Sequence, residues 1–399
     1  MDLLTIVILT VLAGIVFDFV NGRCDSANAI ATVISTRALT PLQALFYAAI
    51  LNFIGALVST KVAMTMCSGV VHLPLQMCSI VTVLAAMIAS AAWVTWCTGL
   101  GLPVSSSHAL VGSLVGATAI IGGWSRVQWT GVTKILVALL VSPLLGFVLG
   151  LIAIILATWL AHVMEATPRQ GRKAFGFLQI VSSGFMAFEH GKNDAQKVMG
   201  VVALALFVGG FLKDGSGQTI RDVGGLYIPM WVRLVCGVAM ALGTVMGGWR
   251  VIRTLGSKLA KITKLEGCAA ETAAGVVLEL AASLGIPVST THTLTGSVVG
   301  VGSAKGVRAV KWGLGAKIVW AWVFTLPVCF VLGGALSWFA AWTSPQAMVA
   351  AVAAVTATTW AWSLVRDRLR RGPRGPGVPP SGQGTARAPS GTSEVAGVR

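Results

Sequence analysis

Asp25 and Asp194 are the two residues whose surroundings most suggest chemistry. Each stands three residues after a glycine, in Asn21-Gly22-Arg23-Cys24-Asp25-Ser26-Ala27-Asn28 and in His190-Gly191-Lys192-Asn193-Asp194-Ala195-Gln196-Lys197, at an offset of 169. A second motif follows each acid. Pro103-Val104-Ser105-Ser106-Ser107-His108 returns as Pro287-Val288-Ser289-Thr290-Thr291-His292 at an offset of 184. Leu110, Gly112, Ser113, Val115 and Gly116 then match Leu294, Gly296, Ser297, Val299 and Gly300. A carboxylate inside apolar sequence is costly and marks an ion path.

The proline motifs predict helix starts. Proline disfavours helix at the residue before it and suits a helix's first turn. Ser105, Ser106 and Ser107, and Ser289, Thr290 and Thr291, then fall at helix N-termini. Such ends carry unpaired N–H groups and roughly half a positive charge. Two of them facing each other make an anion cradle without Lys or Arg. The alternative is that these hydroxyls only cap their own helices. A bare carboxylate repels an anion, but it can hold a cation or accept a ligand's acidic proton. Monohydrogen phosphate carries such a proton and sulfate does not, so the paired acids favour phosphate. The alternative for each acid is a helix cap.

Amides near the acids, on Asn21, Asn28, Asn193 and Gln196, offer further oxygens. Asp18, Glu189 and Lys197 are other buried ionisable candidates. Glu189 and Asp18 read either as proton carriers or as partners of Lys192 or Lys197. His108 and His292 read as structural hydrogen-bonding groups that close each hairpin. No cluster with metal-ligand spacing surrounds them, so no metal centre and no cofactor are expected.

Apolar elements must position these motifs. The 399-residue chain is 55% hydrophobic and 11% charged, with 13 acidic residues. A soluble fold of this size could not cover itself with so few charges. Apolar runs near 3–20, 41–60, 78–98, 132–161, 174–190, 198–213, 226–247, 268–283, 312–342 and 346–365 suit a bilayer core. The segments 103–121 and 287–303 are short and follow Gly-x-Pro breaks, so they read as re-entrant helical hairpins, tolerable only against protein or a wet cavity. The expected fold is an all-α integral membrane protein with about 10–12 transmembrane segments in two inverted repeats. Residues 1–161 form the first repeat, 162–173 a basic linker, 174–342 the second repeat and 346–365 a final helix. The tail, 366–399, holds seven Arg and two acids and is too polar to fold.

The net charge of +16 follows from basic clusters between apolar runs, as the positive-inside bias requires. No nucleic-acid motif accompanies it. Seven scattered cysteines, none in a CxxC, exclude a disulfide framework. Leu3 to Val20 lacks the flanks of a cleavable signal and reads as the first membrane helix.

Together, Phe17-Asp18-Phe19-Val20-Asn21-Gly22 through Asn28-Ala29, Gly191 through Lys197, both Pro-Val-Ser-x-x-His hairpins, and Gly247-Gly248-Trp249-Arg250 through Lys258 resemble the PiT family of inorganic phosphate transporters, bacterial branch. The resemblance covers about residues 5 to 342. It implies a multi-pass symporter of the cell membrane, not an enzyme, seated in lipid and forming a homodimer. Matching positions put phosphate contacts on Asp25, Ser105, Ser106, Asp194, Ser289 and Thr290. Cation contacts fall on Asn28, Asn193, Asp25 and Asp194, with Glu189 as a proton-coupling candidate. Pro103, His108, Pro287 and His292 shape the hairpins. One position departs: Cys24 stands where the family commonly has Asn. Thiol is a poor sodium ligand, which favours proton coupling and a metal–phosphate ion pair as a form of the substrate. Sodium coupling and a sulfate permease on the same scaffold are the alternatives. An integral-membrane phosphohydrolase and a channel are more distant ones.

Overall fold

The computed structural model describes residues 2–71, 77–163, 168–213, 218–220 and 226–343, with residues 347 and 350. Among them twelve α-helices fall into two sets of six. The first set is α1 (Leu3–Ser35), α2 (Pro41–Val58), α3 (Lys61–Ser68), α4 (Met77–Leu100), α5 (Ser106–Gly122) and α6 (Trp129–Val163). The second is α7 (Pro168–Val208), α8 (Met230–Met246), α9 (Trp249–Arg253), α10 (Lys264–Ser283), α11 (Thr290–Ser303) and α12 (Trp312–Trp342). A π-helical turn, Thr254–Leu259, extends α9. Small features repeat too. Isolated bridges join Val71 to Val127 and Ala260 to Val310. Pro143 and Pro327 interrupt the hydrogen-bond ladders of α6 and α12 at matching places.

Much of the packing is exchanged between the sets, and the rest repeats within each. Helix α5 lies on α12 and α11 on α6; α1 lies on α8 and α7 on α2; α4 packs on α1 and α10 on α7. Substituting each helix by its counterpart turns every pair into another observed pair. Close approach makes this possible. A Cβ at Gly112 or Gly116 would strike the carbonyls of Leu326 and Phe330 in α12, and one at Gly296 or Gly300 those of Pro143 and Phe147 in α6. Without a hydrophobic drive between helices in lipid, such backbone contact is what small residues supply.

The polarity is that of a membrane protein. Leu140, Leu144 and Trp159 of α6 are 61% exposed or more, while Asp18, Asp194 and Glu271 are 0% exposed. Helices α1, α2, α4, α6 and α12 are long and apolar enough to cross a bilayer. The pair Met230–Met246 and Trp249–Leu259, bent by 60°, adds a sixth. Helices α5 and α11 are only 17 and 14 residues long. Helices α7 and α10 carry Glu189, Lys192, Asp194, Lys197, Glu271 and Glu279 in their turns.

Segments read as separate at 174–190 and 198–213 are one 41-residue helix. Likewise α1 continues through the first acid motif to Ser35. Its polar residues do not break the helix because they face other helices. The linker read at 162–173 is shorter, since α7 begins at Pro168. The final helix at 346–365, apart from residues 347 and 350, and the tail at 366–399 lie outside the described residues.

Candidate functional site

Two left-handed glycines make the breaks. Gly101 and Gly285 have φ of +77° and +69°, a region closed to most side chains. Each break is clamped by the opposite set of helices. Thr254 Oγ1 donates to Gly101 O at 3.0 Å, and Thr65 Oγ1 to Gly285 O at 2.7 Å. Arg250 donates to Gly99 O, and Lys61 Nζ to Ser283 O at 2.9 Å. None of these four contacts is announced by the sequence. Arg250 and Thr254 fall there only within the Gly247–Lys258 segment of the family resemblance, with no partner assigned, and the partner of Arg250 is 151 residues away.

Beyond the breaks the chain is extended through Pro103 and Pro287. Ser105 and Ser289 are the N-caps of α5 and α11, one residue short of the expected first turn. Each Oγ accepts from the backbone N–H of the histidine three residues on, at 3.2 Å. Capping therefore occupies an Oγ lone pair and leaves the hydroxyl proton out of that bond.

The helix starts meet at the two acids. Ser106 Oγ donates to Asp25 Oδ2 at 2.8 Å, and Thr290 Oγ1 to Asp194 Oδ2 at 2.8 Å. The starts are also tied to each other. Ser107 Oγ donates to Val288 O at 3.3 Å, and Thr291 Oγ1 points to Val104 O at 3.4 Å. Ligand atoms of Asp25, His190 and Asp194 lie within 4.8 Å of one another. Two carboxylates and an imidazole could hold a cation there, although no sequence spacing announces it, because the acids come from α1 and α7. Asp25 and Asp194 are 1% and 0% exposed.

Around the acids the halves differ. Asn28 Nδ2 donates to Thr291 Oγ1 at 3.0 Å and Thr290 Oγ1 at 3.3 Å. Lys197 donates to Asp194 Oδ1 and to Ser107 Oγ, the latter at 2.7 Å. His190 sits 3.3 Å from Asp194 Oδ2 and is oriented by Asn52, whose amide donates to Thr244 Oγ1 at 2.9 Å. Asn193 is buried, and neither of its amide atoms has a hydrogen-bond partner among the described residues.

Glu189 is not brought to the acids. Its Oε2 lies 3.7 Å from Lys192 Nζ, which also pairs with Glu279. The ion-pair reading with Lys192 is the one the geometry supports, while Lys197 belongs to Asp194. The histidine rings do not close their own hairpins; their backbone N–H groups do. The His108 and His292 rings meet tilted at 37° with centroids 4.7 Å apart, and His292 lies 3.9 Å from the Trp322 ring. His292 Nδ1 faces Leu139 O at 3.3 Å, the carbonyl that Pro143 leaves without its helical donor. Sequence reading also missed Glu271, buried between Thr32 and Ser182.

This geometry has known relatives. The model of the phosphate transporter family matches residues 21–333. A probable low-affinity inorganic phosphate transporter of Rhizobium meliloti (strain 1021) is 44% identical over 328 residues, 82% of this chain and 93% of that protein. The corresponding protein of Bacillus subtilis (strain 168) is 38% identical over 342 residues, 85% of this chain and 98% of its own. Among solved structures, one described as the sodium-dependent phosphate transporter superposes with a TM-score of 0.74. It shares 26% identity and covers 85% of this chain and 100% of its own. The matched span contains both acid motifs and both hairpins, and on that ground the chain belongs to the phosphate transporter family as a multi-pass membrane protein, not an enzyme.

Proposed function

We propose that the chain is a secondary transporter that carries inorganic phosphate together with a cation. Phosphate sits between the starts of α5 and α11, held by Ser105, Ser106, Ser289 and Thr290 and by Asp25 and Asp194, which accept its acidic proton. The doubled contact of Ser106 on Asp25 and Thr290 on Asp194, 2.8 Å each, carries this reading. It joins two helix N-termini, each a natural anion site, to carboxylates that a bare anion would not tolerate. Burial of both acids supports a carrier in place of an open pore, since helices must move apart to admit a ligand. The two hairpins, re-entrant in an inverted-repeat arrangement, are the elements placed to do so.

The coupling ion is the proton in this reading. Cys24, buried beside Asp25 in sequence, offers a thiol where a hard oxygen would be needed, and hard cations want oxygen. Sodium is the second reading. It is favoured by the match to the sodium-dependent transporter and by the oxygens of Asn21, Asn28 and Asn193, which have no hydrogen-bond partner among the described residues.

Uptake of labelled phosphate into proteoliposomes, under independent pH and sodium gradients, tests the proposal. An inward proton gradient drives accumulation without sodium, and a protonophore collapses it. Accumulation that needs sodium and ignores the protonophore transfers the coupling to sodium. Excess sulfate leaves uptake intact. Added magnesium that raises uptake identifies a metal–phosphate pair as the substrate form. Ser106→Ala and Thr290→Ala each weaken apparent phosphate affinity by about 1–2 kcal/mol, the value of one hydrogen bond to a charged group. Unchanged kinetics in both would take the site away from the hairpins.

A further inference from the structure

The two halves share much of their contact pattern; His190 faces Asp194 where the first half has Asn21, and one further difference places a fixed charge in one half only. Superposing the acid motifs places Asn28 on Lys197, and superposing the hairpins places Val104 on Val288 and Ser107 on Thr291. Lys197, 3% exposed, donates to Asp194 Oδ1, Ser107 Oγ and Val288 O. Three acceptors meet the three protons of an ammonium group. All three are oxygens: a carboxylate, a hydroxyl and a backbone carbonyl. That is the donor set that would surround a small cation.

The counterpart set exists in the first half. Thr291 Oγ1 lies 2.9 Å from Asp25 Oδ1 and 3.4 Å from Val104 O. Here, however, the residue reaching in is Asn28, which is neutral. Its Nδ2 touches Thr291 at 3.0 Å, and its Oδ1 is buried with no hydrogen-bond partner among the described residues. Asp194 thus has a fixed counter-charge. Asp25 accepts from two hydroxyls, Ser106 and Thr291, and where Asp194 has the lysine it has the neutral Asn28; His190, which pairs with Asp194, lies within 4.8 Å of both acids. Leaving one buried carboxylate without a counter-charge of its own, beside a single imidazole that already pairs with Asp194, is unfavourable, more so when an anionic ligand arrives beside it.

We propose that Lys197 is a built-in cation: its ammonium occupies, in the second half, the place that a co-transported cation takes beside Asp25, Thr291, Val104 and Asn28 in the first. One mobile cation, not two, then accompanies each monohydrogen phosphate. This rests on the phosphate-transporter reading and adds the count of coupling ions. Lys197 is a positioning and charge-setting residue that never leaves the protein, so its half contributes no coupling.

The experiment is an equilibrium measurement on the full chain in proteoliposomes, with the membrane potential clamped at zero. The phosphate ratio, counted as monohydrogen phosphate, is followed against the imposed gradient of whichever ion, proton or sodium, drives uptake. Each coupled cation multiplies the ratio by its own gradient, so a tenfold gradient gives about tenfold accumulation for one cation and about a hundredfold for two. The unsubstituted chain gives the first value. Lys197→Asn, which restores the residue of the other half, moves to the second, and Lys197→Arg stays at the first. Asn28→Lys, which tethers a cation in both halves, loses concentrative uptake. A hundredfold ratio in the unsubstituted chain overturns the proposal, as does an unchanged ratio in Lys197→Asn. If Lys197→Asn does not fold, the unsubstituted chain decides alone. Absence of any phosphate uptake by the unsubstituted chain would instead sink the phosphate reading itself.

Discussion

Asp25→Asn yields a folded carrier that no longer concentrates phosphate, whereas Asp194→Asn yields a protein that is also markedly less stable. The two acids are equivalent in the repeat, and their neighbours make them different. Asp25 accepts from Ser106 and Thr291, both hydroxyls, at 2.8 and 2.9 Å. An asparagine oxygen can accept one of these bonds, and its amide can donate to the oxygen of the other hydroxyl. The fold therefore loses little, while the charge proposed to hold a cation is gone. Asp194 is the counter-charge of Lys197, with both side chains buried. Removing one member of a buried pair leaves the other charge uncompensated and costs about 3–5 kcal/mol. The double variant Asp194→Asn with Lys197→Asn recovers most of that stability without recovering coupled uptake. Thermal unfolding in detergent beside proteoliposome uptake reads both effects. Normal accumulation by Asp25→Asn would make that carboxylate structural. Equal stability losses in the two single variants would show that Lys197 does not depend on Asp194.

Legibility in the sequence followed the range of the interactions. The breaks before α5 and α11 were readable because proline, glycine and a cap residue act on their neighbours. The helices begin at Ser106 and Thr290, within the segments expected at 103–121 and 287–303. The opposite held for α7. Glu189, Lys192, Asp194 and Lys197 interrupt its apolar run, so hydropathy splits it, yet each finds a partner inside the bundle and the 41-residue helix continues. The clamps from Lys61, Thr65, Arg250 and Thr254 were invisible because each acts on the other half. So was the role of Lys197, whose acceptors Ser107 and Val288 lie about 90 positions away on either side. One long-range contact did have a local clue. Pro143 must free the carbonyl of Leu139, and a buried carbonyl needs a donor, which Ser142 Oγ supplies locally at 3.2 Å and His292 from the other half at 3.3 Å.

Gly116→Val and Gly300→Val are expected to prevent accumulation of folded protein. The hairpins are held by backbone contact with the long helix of the other half. A Cβ at Gly116 would lie 2.8 Å from Phe330 Cα, and one at Gly300 3.1 Å from Phe147 Cα, each still closer to the neighbouring carbonyl oxygen. Backbone atoms cannot swing aside as a side-chain end can, so α5 must move off α12, or α11 off α6. Overpacking of this kind costs about 3 kcal/mol or more. Gly313 and Gly315, on α12, have no atom within 4 Å of an added Cβ. Alanine at either is expected to stabilise the helix by about 0.5–1 kcal/mol. The milder Gly116→Ala separates placement from folding. If some protein folds, Ser106 at the start of the same helix is displaced from Asp25, and uptake per folded molecule falls as well. Unaltered yield, melting temperature and uptake in Gly116→Ala and Gly116→Val would mean that the α5–α12 contact does not place the hairpin.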